Sequence, residues 1–293
     1  MTTTSNSAPI GRASVDCDPP ATPNAAPFDK LRERNGIRAL VRRSPLLVFF
    51  VLSCLLSWGP AVPALLGTGS AGLFGAGPFV AAVVVLALSQ GRRGVLDLLA
   101  RMVRWRVPPL AYLAALGIPV LITAAAVAAN VALGAPTPAA AQLGTWTQIP
   151  LVLAMIMLVP GAGGAWEEPG FRGFALGRLE ERFGLSAAPL VLGVFWVVWH
   201  LPLFVTGTIQ WPDVATIVAC SVVIAAVYHS ARDSILVAML LHATNNAVGG
   251  EFASELFTGT EATRLSALVG LAWVLIALGV LAHQRRRALL GRR

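Results

Sequence analysis

The sequence predicts an all-α fold: a polytopic transmembrane helical bundle of about eight spans, with a broken fourth helix and a central polar cavity. Three observations predict it. Of 293 residues, 56% are hydrophobic and 12% charged, with a mean hydropathy of +0.72. A soluble domain carries roughly 25% charged residues, so this chain has too little polar surface to cover a water-facing sphere of its size. The apolar residues gather into runs close to the ~20 residues that a bilayer crossing needs. Lys and Arg, finally, are confined to alternate connections between those runs. A soluble enzyme is excluded on this composition, as are disordered, collagen-like and disulfide-scaffold classes.

Taken in chain order, residues 1–44 form a tail rich in Pro, Ser, Thr and Ala that ends in Arg32, Arg34, Arg38, Arg42 and Arg43. No apolar core precedes those arginines and no small-residue cleavage site follows a short one, so a signal peptide is not expected. The tail is expected to be partly disordered, with the first span as an uncleaved anchor. Candidate spans follow at 46–66, 71–89, 109–133, 149–165, 187–206, 213–229, 234–249 and 264–283. The fourth, sixth and seventh are short. The expected organisation is a membrane domain over 45–283 and a basic cytoplasmic tail over 284–293. No internal repeat is evident. Cys17, Cys54 and Cys220 are too scattered for a disulfide framework or a thiolate zinc site.

Eight spans put the two tails, the 90–108 loop, the 166–186 segment and the 230–233 turn on one side. That side then holds all but Arg264 of the 22 Lys and Arg. Both termini are therefore expected in the cytoplasm. The net charge of +8 belongs with lipid headgroups, and nucleic acid is not an expected partner.

Ionisable residues are the informative ones in so apolar a chain. They fall in Ala165–Gly173 (AWEEPGFRG), Phe195–Pro202 (FWVVWHLP) and Leu240–Asn246 (LLHATNN). If Arg182–Gly184 is the tip of a helical hairpin, Glu167 lies 17 residues before Gly184 and His200 lies 16 after it. At 1.5 Å per residue, two antiparallel helices bring these side chains to about one depth. The fourth span then continues through the Glu pair, interrupted at Pro160-Gly161 and Pro169-Gly170. Glu168 and Arg172 are spaced i,i+4 for an ion pair, and His242 and Asn246 share one helix face at the same spacing.

Two chemistries suit this set. A carboxylate beside an imidazole can deprotonate a water and return the proton to a leaving amine, with His242 and Asn246 as donors to an oxyanion. Alternatively, Glu167, His200 and His242 make a three-ligand set for one divalent metal such as zinc with an open position. Each feature also has a structural reading. The Glu pair can cap a helix at the interface, a lone His can pack by hydrogen bonding, and His with Asn can join helices. Trp196 and Trp199 can be core or belt aromatics, and His229 and His283 lie at span ends without an assigned role. Three polar clusters at compatible depths favour use over accident, because each is costly in an apolar setting.

In this order, Glu167-Glu168-xxx-Arg172, Trp196-xxx-His200 and His242-xxx-Asn246 resemble the CPBP family of intramembrane proteases. These include the type II CAAX prenyl endopeptidases and the bacteriocin-immunity (Abi) relatives. Trp196 stands where the pattern often has Phe, and the resemblance covers about 150–250. It implies an eight-helix membrane hydrolase with a cavity open toward the cytoplasm. Glu167 and His200 would activate water, His242 and Asn246 would stabilise the oxyanion, and Glu168 and Arg172 would support them, with or without a metal. The implied partners are the bilayer and a membrane-associated peptide or protein. The Ala/Gly/Arg-rich composition reads as bacterial, which points to the inner membrane and away from prenylated substrates. A transporter with a Glu/His proton relay and a non-catalytic scaffold of the same fold are the competing classes. The transporter lacks a repeated broken-helix pair, and the intact site residues weigh against the scaffold.

Overall fold

The computed structural model describes residues 1–2 and 36–290, which form helices joined by turns, with no strand among them. Most of the expected tail, and residues 291–293, lie outside the described residues. Where the tail ends, Ile37–Arg43 is a helix (α1), bent by 110° from Pro45–Ser57 (α2). Further helices run over Gly77–Ser89 (α3), Arg92–Met102 (α4), Pro109–Ala132 (α5) and Ile149–Leu158 (α6). Then come Ala188–Trp199 (α7), Asp213–Ser230 (α8), Ile235–Asn245 (α9) and Gly259–Leu290 (α10). Between α6 and α7 lies a motif segment, 164–183, with mixed helical geometry.

Each apolar run seen in the sequence contains a helix, but not each contains a full span. Pro109–Ala132, Ala140–Leu158, Asp213–Ser230 and Gly259–Arg287 are long and apolar enough to cross a membrane, with a fifth span if α1 and α2 count together. The others are interrupted. Pro60 and Pro63 sit in the short turns that follow α2, α7 stops before Pro202, and α9 passes into a π-helical stretch, Asn246–Ala253. Hydropathy registers the apolar content of these runs but not their breaks. At the other end, α10 carries Arg285, Arg286 and Arg287 within the helix rather than in a separate tail, and cations suit a helix C-terminus.

The outer surface is apolar. Leu121 is 69% exposed, Leu158 76% and Leu275 59%, on three different helices. Such a belt is costly in water and suits lipid, so the chain is an integral membrane protein. Helix α9 is its axis: Ile235, Val237, Ala238, Leu241, His242 and Ala243 are all buried, so most of the helix's circumference is covered. It packs on α5 and α8, while α2 pairs with α3 and α8 with both α7 and α10.

A polar clasp joins the far ends of α5 and α10. Buried Asn130 accepts a 2.6 Å hydrogen bond from Arg264 Nε and donates to the Glu261 carbonyl at 3.1 Å. Arg264 Nη1 also donates to the Leu133 carbonyl, which the end of α5 leaves without a helical partner. Asn130→Ala should therefore cost about 1–3 kcal/mol, the range for losing a charge-assisted hydrogen bond. Thermal melts in detergent measure it, and an unchanged melting temperature would contradict the assignment.

Candidate active site

The motif segment begins where α6 ends. The chain leaves the helix at Val159, turns through Pro160-Gly161, and re-enters helical geometry as a 3-10 turn over Gly164–Glu167. The expected interruption at Pro160-Gly161 is present. The one expected at Pro169-Gly170 is not, because Pro169 falls in the first turn of the new helix, where its missing N–H costs no hydrogen bond. A π-helical turn over Phe171–Leu176 and an α-helical turn over Gly177–Phe183 complete the segment. π turns are rare and recur at functional sites. The chain then turns at Gly184 into α7, forming the helical hairpin that the depth argument assumed.

Two glycines let backbone approach the motif. A Cβ on Gly170 would lie 2.5 Å from the backbone of Pro78, so α3 can cross only a bare position. A Cβ on Gly164 would overlap the His242 ring.

Glu168 and Arg172 form the expected i,i+4 pair at 2.9 Å, with neither side chain exposed to solvent. The same carboxylate oxygen, Glu168 Oε1, lies 2.7 Å from His242 Nδ1. The guanidinium sits 4.8 Å over the Trp196 ring. Glu167, also buried, turns elsewhere: its Oε2 accepts a 2.7 Å hydrogen bond from the Trp196 indole N–H.

His200 closes α7. Pro202 has no N–H to donate back to Val198, so the helix ends and its last carbonyls need other partners. The Trp196 carbonyl accepts from His200 twice, from the backbone N–H at 3.1 Å and from Nδ1 at 2.8 Å. The Trp199 carbonyl takes the indole N–H of Trp58 at 2.9 Å. His242 meets the edge of the Trp196 ring at 5.1 Å and lies within Coulombic reach of both Glu167 and His200. Asn246 follows one turn on from His242, half-buried, at the start of the π-helical stretch.

Glu167, Glu168, Arg172, His200 and His242 are therefore brought to one place, with Trp196 among them, and Asn246 follows on the same chain segment as His242. The position of Trp196 in the site is not readable from the sequence, because its hydrogen-bond partner lies 29 residues away and only packing brings the two together. His229, which had no assigned role, is bracketed by Glu180 at 2.7 Å and Asp233 at 2.8 Å, and ties the motif segment to the end of α8.

These geometries set tautomers. A carbonyl only accepts, so His200 Nδ1 carries the proton and Nε2 keeps a lone pair. His242 Nδ1 donates to a carboxylate, so its ring is held through that nitrogen. Metal-binding histidines show similar outer bonds. Glu167, His200 and His242 are nonetheless not gathered tightly enough to share one ion. Among the described residues no group of three His, Cys, Asp or Glu side chains is placed to hold a metal. The three-ligand set that the sequence allowed does not fit this geometry.

The sequence model of the family described as type II CAAX prenyl endopeptidase Rce1-like matches residues 145–248. That segment is similar to the Rce1-like family. It contains all three motifs, so the resemblance they carry is borne out. A CAAX prenyl protease 2 from Methanococcus maripaludis is 43% identical over 47 residues, a stretch covering 16% of this chain and 17% of that protein. The matched segment spans the whole of α6 through α9 and holds every residue of the site.

Removing one member of a buried pair strands the other charge, at a cost of about 3–5 kcal/mol. Arg172→Ala should therefore lower the melting temperature sharply and disrupt His242 through Glu168. Arg178 is half-buried and bonds the Phe174 carbonyl, so Arg178→Ala should cost only about 0–1 kcal/mol. Melts at low and high salt compare the two. Equal, salt-sensitive losses would remove Arg172 from the site.

Proposed function

We propose that this chain is a membrane-embedded, CAAX-type endopeptidase that hydrolyses a peptide bond of a membrane-associated substrate with a water held by Glu167 and His200. One observation carries the reading. Each imidazole has its Nδ1 tied to an oxygen, and Glu167 has one carboxylate oxygen tied to an indole, so the opposite atom of each group is left to work on substrate.

Water placed between these groups gives one hydrogen to Glu167 Oε1 and directs the other at His200 Nε2. As its oxygen bonds to the scissile carbonyl carbon, Glu167 takes the proton, and the carbonyl electrons move onto oxygen. His242 Nε2–H, with Nδ1 of the same ring held by Glu168, and the Asn246 amide donate to that oxyanion. Collapse breaks the C–N bond, and Glu167 returns the proton to the leaving amine. General-base assistance contributes roughly 10²–10⁴-fold, and one oxyanion donor roughly 10²–10³-fold. Glu168 and Arg172 hold His242 in place and touch no reacting atom.

The substrate is a peptide or protein segment lying against the bilayer, because the site is buried in a bundle with an apolar exterior. The Lys and Arg partition supports a bacterial inner-membrane orientation with both termini in the cytoplasm, and the site then opens to that side.

Purified protein in detergent, offered a membrane-peptide library, should cleave, and cleavage should survive prior chelation because the donors do not gather around one ion. Glu167→Ala and His200→Ala should each lose at least about 10²-fold in turnover with melts preserved. Full activity in folded Glu167→Ala would transfer the case to the scaffold or transporter reading. Cysteine-accessibility labelling should find 134–148 and 250–263 on the outer face. Either loop labelling from the cytoplasm would overturn the orientation.

A further inference from the structure

Four of the six side chains of the site, from three elements, meet at one further residue. Trp196 donates its indole N–H to Glu167 Oε2, accepts His200 Nδ1 on its carbonyl, lies under the Arg172 guanidinium and meets the His242 ring. An indole N–H only donates, so the bond commits one lone pair of Oε2. The terminal torsion of a glutamate is otherwise broad and nearly two-fold, and nothing in the side chain itself selects which oxygen faces substrate. The donor selects it here. The ring that carries the donor cannot follow a wandering carboxylate, because it is 4% exposed and packed against Phe171, Arg172 and His242.

We propose that Trp196 is a positioning residue for the hydrolysis. Its indole N–H turns Glu167 so that Oε1 faces the water, and its carbonyl turns His200 so that Nε2 faces the same water. The inference rests on the Glu167 and His200 reading above and adds to it the group that orients both. A packing aromatic would act through shape alone, and the carbonyl is common to any residue at 196, whereas the hold on Glu167 depends on a single N–H.

The test separates shape from donor. Trp196 is replaced by Phe and, through nonsense suppression, by 3-benzothienylalanine, whose sulfur takes the place of the N–H in a ring of nearly the same size. Both are assayed on a peptide that the wild-type protein cleaves, beside Glu167→Ala. Loss of orientation lowers kcat about 10- to 100-fold in both variants. KM stays within about two-fold, since ground-state binding is untouched. The benzothienyl variant should keep the wild-type melting temperature. Wild-type kcat in the benzothienyl variant would overturn the proposal, and a parallel rise in KM with unchanged kcat would do the same. If Phe at 196 unfolds the protein, the benzothienyl variant alone decides. A Glu167→Ala protein as active as wild type would instead defeat the hydrolytic reading, and the two failures are distinct.

Discussion

The buried pair of Glu168 and Arg172 is the constraint around which this structure is arranged. Taking two charges out of water costs several kcal/mol each, and their attraction returns that only with good geometry and further hydrogen bonds. The i,i+4 spacing supplies the geometry without any tertiary requirement. The surroundings supply part of the remainder: His242 on the carboxylate, the Trp196 ring under the guanidinium, and the Ser221 carbonyl at 3.5 Å from Arg172 Nη2, while Glu168 Oε2 and Arg172 Nε have no hydrogen-bond partner among the described residues. Each of those partners comes from a different helix. Satisfying one ion pair therefore draws α7, α8 and α9 around the motif segment, and the catalytic arrangement follows from an electrostatic need.

Burial of the pair also divides labour between two adjacent carboxylates. Glu168 is fully engaged on Oε1 by a cation and an imidazole, which suits a group that holds others in place. Glu167 accepts one neutral donor, so its second oxygen keeps capacity for a proton. Neighbours in sequence thus face different chemistries, because successive positions on a helix point about 100° apart.

The all-helical fold and the three polar clusters were legible in the sequence for one reason: charge is scarce in it, so each ionisable residue in an apolar run stands out. The Glu168–Arg172 pair was legible because helical spacing alone determines it. Which glutamate would meet which histidine was not, since Glu168 and His242 are 74 residues apart and only the packing of α9 against the motif segment decides the match. Trp196 stood in the second motif, but its hydrogen bond was not legible, for the opposite reason. An aromatic in an apolar run carries no signal until its N–H has a partner. The number of full spans escaped hydropathy because Pro202 and the π-helical stretch after α9 change backbone geometry while leaving the apolar content almost untouched.

The bare backbone at Gly164 gives the site a property that no side chain states. His242 rests its imidazole where a methyl group would have to be, so the active-site wall is defined there by missing volume. Motifs are usually written as the residues that react, yet here a position with nothing to contribute chemically is constrained as well. A substitution library spanning 164–172 would find Gly164 as restrictive as the glutamates. The shape of an enzyme's interior is encoded in omissions as firmly as in functional groups.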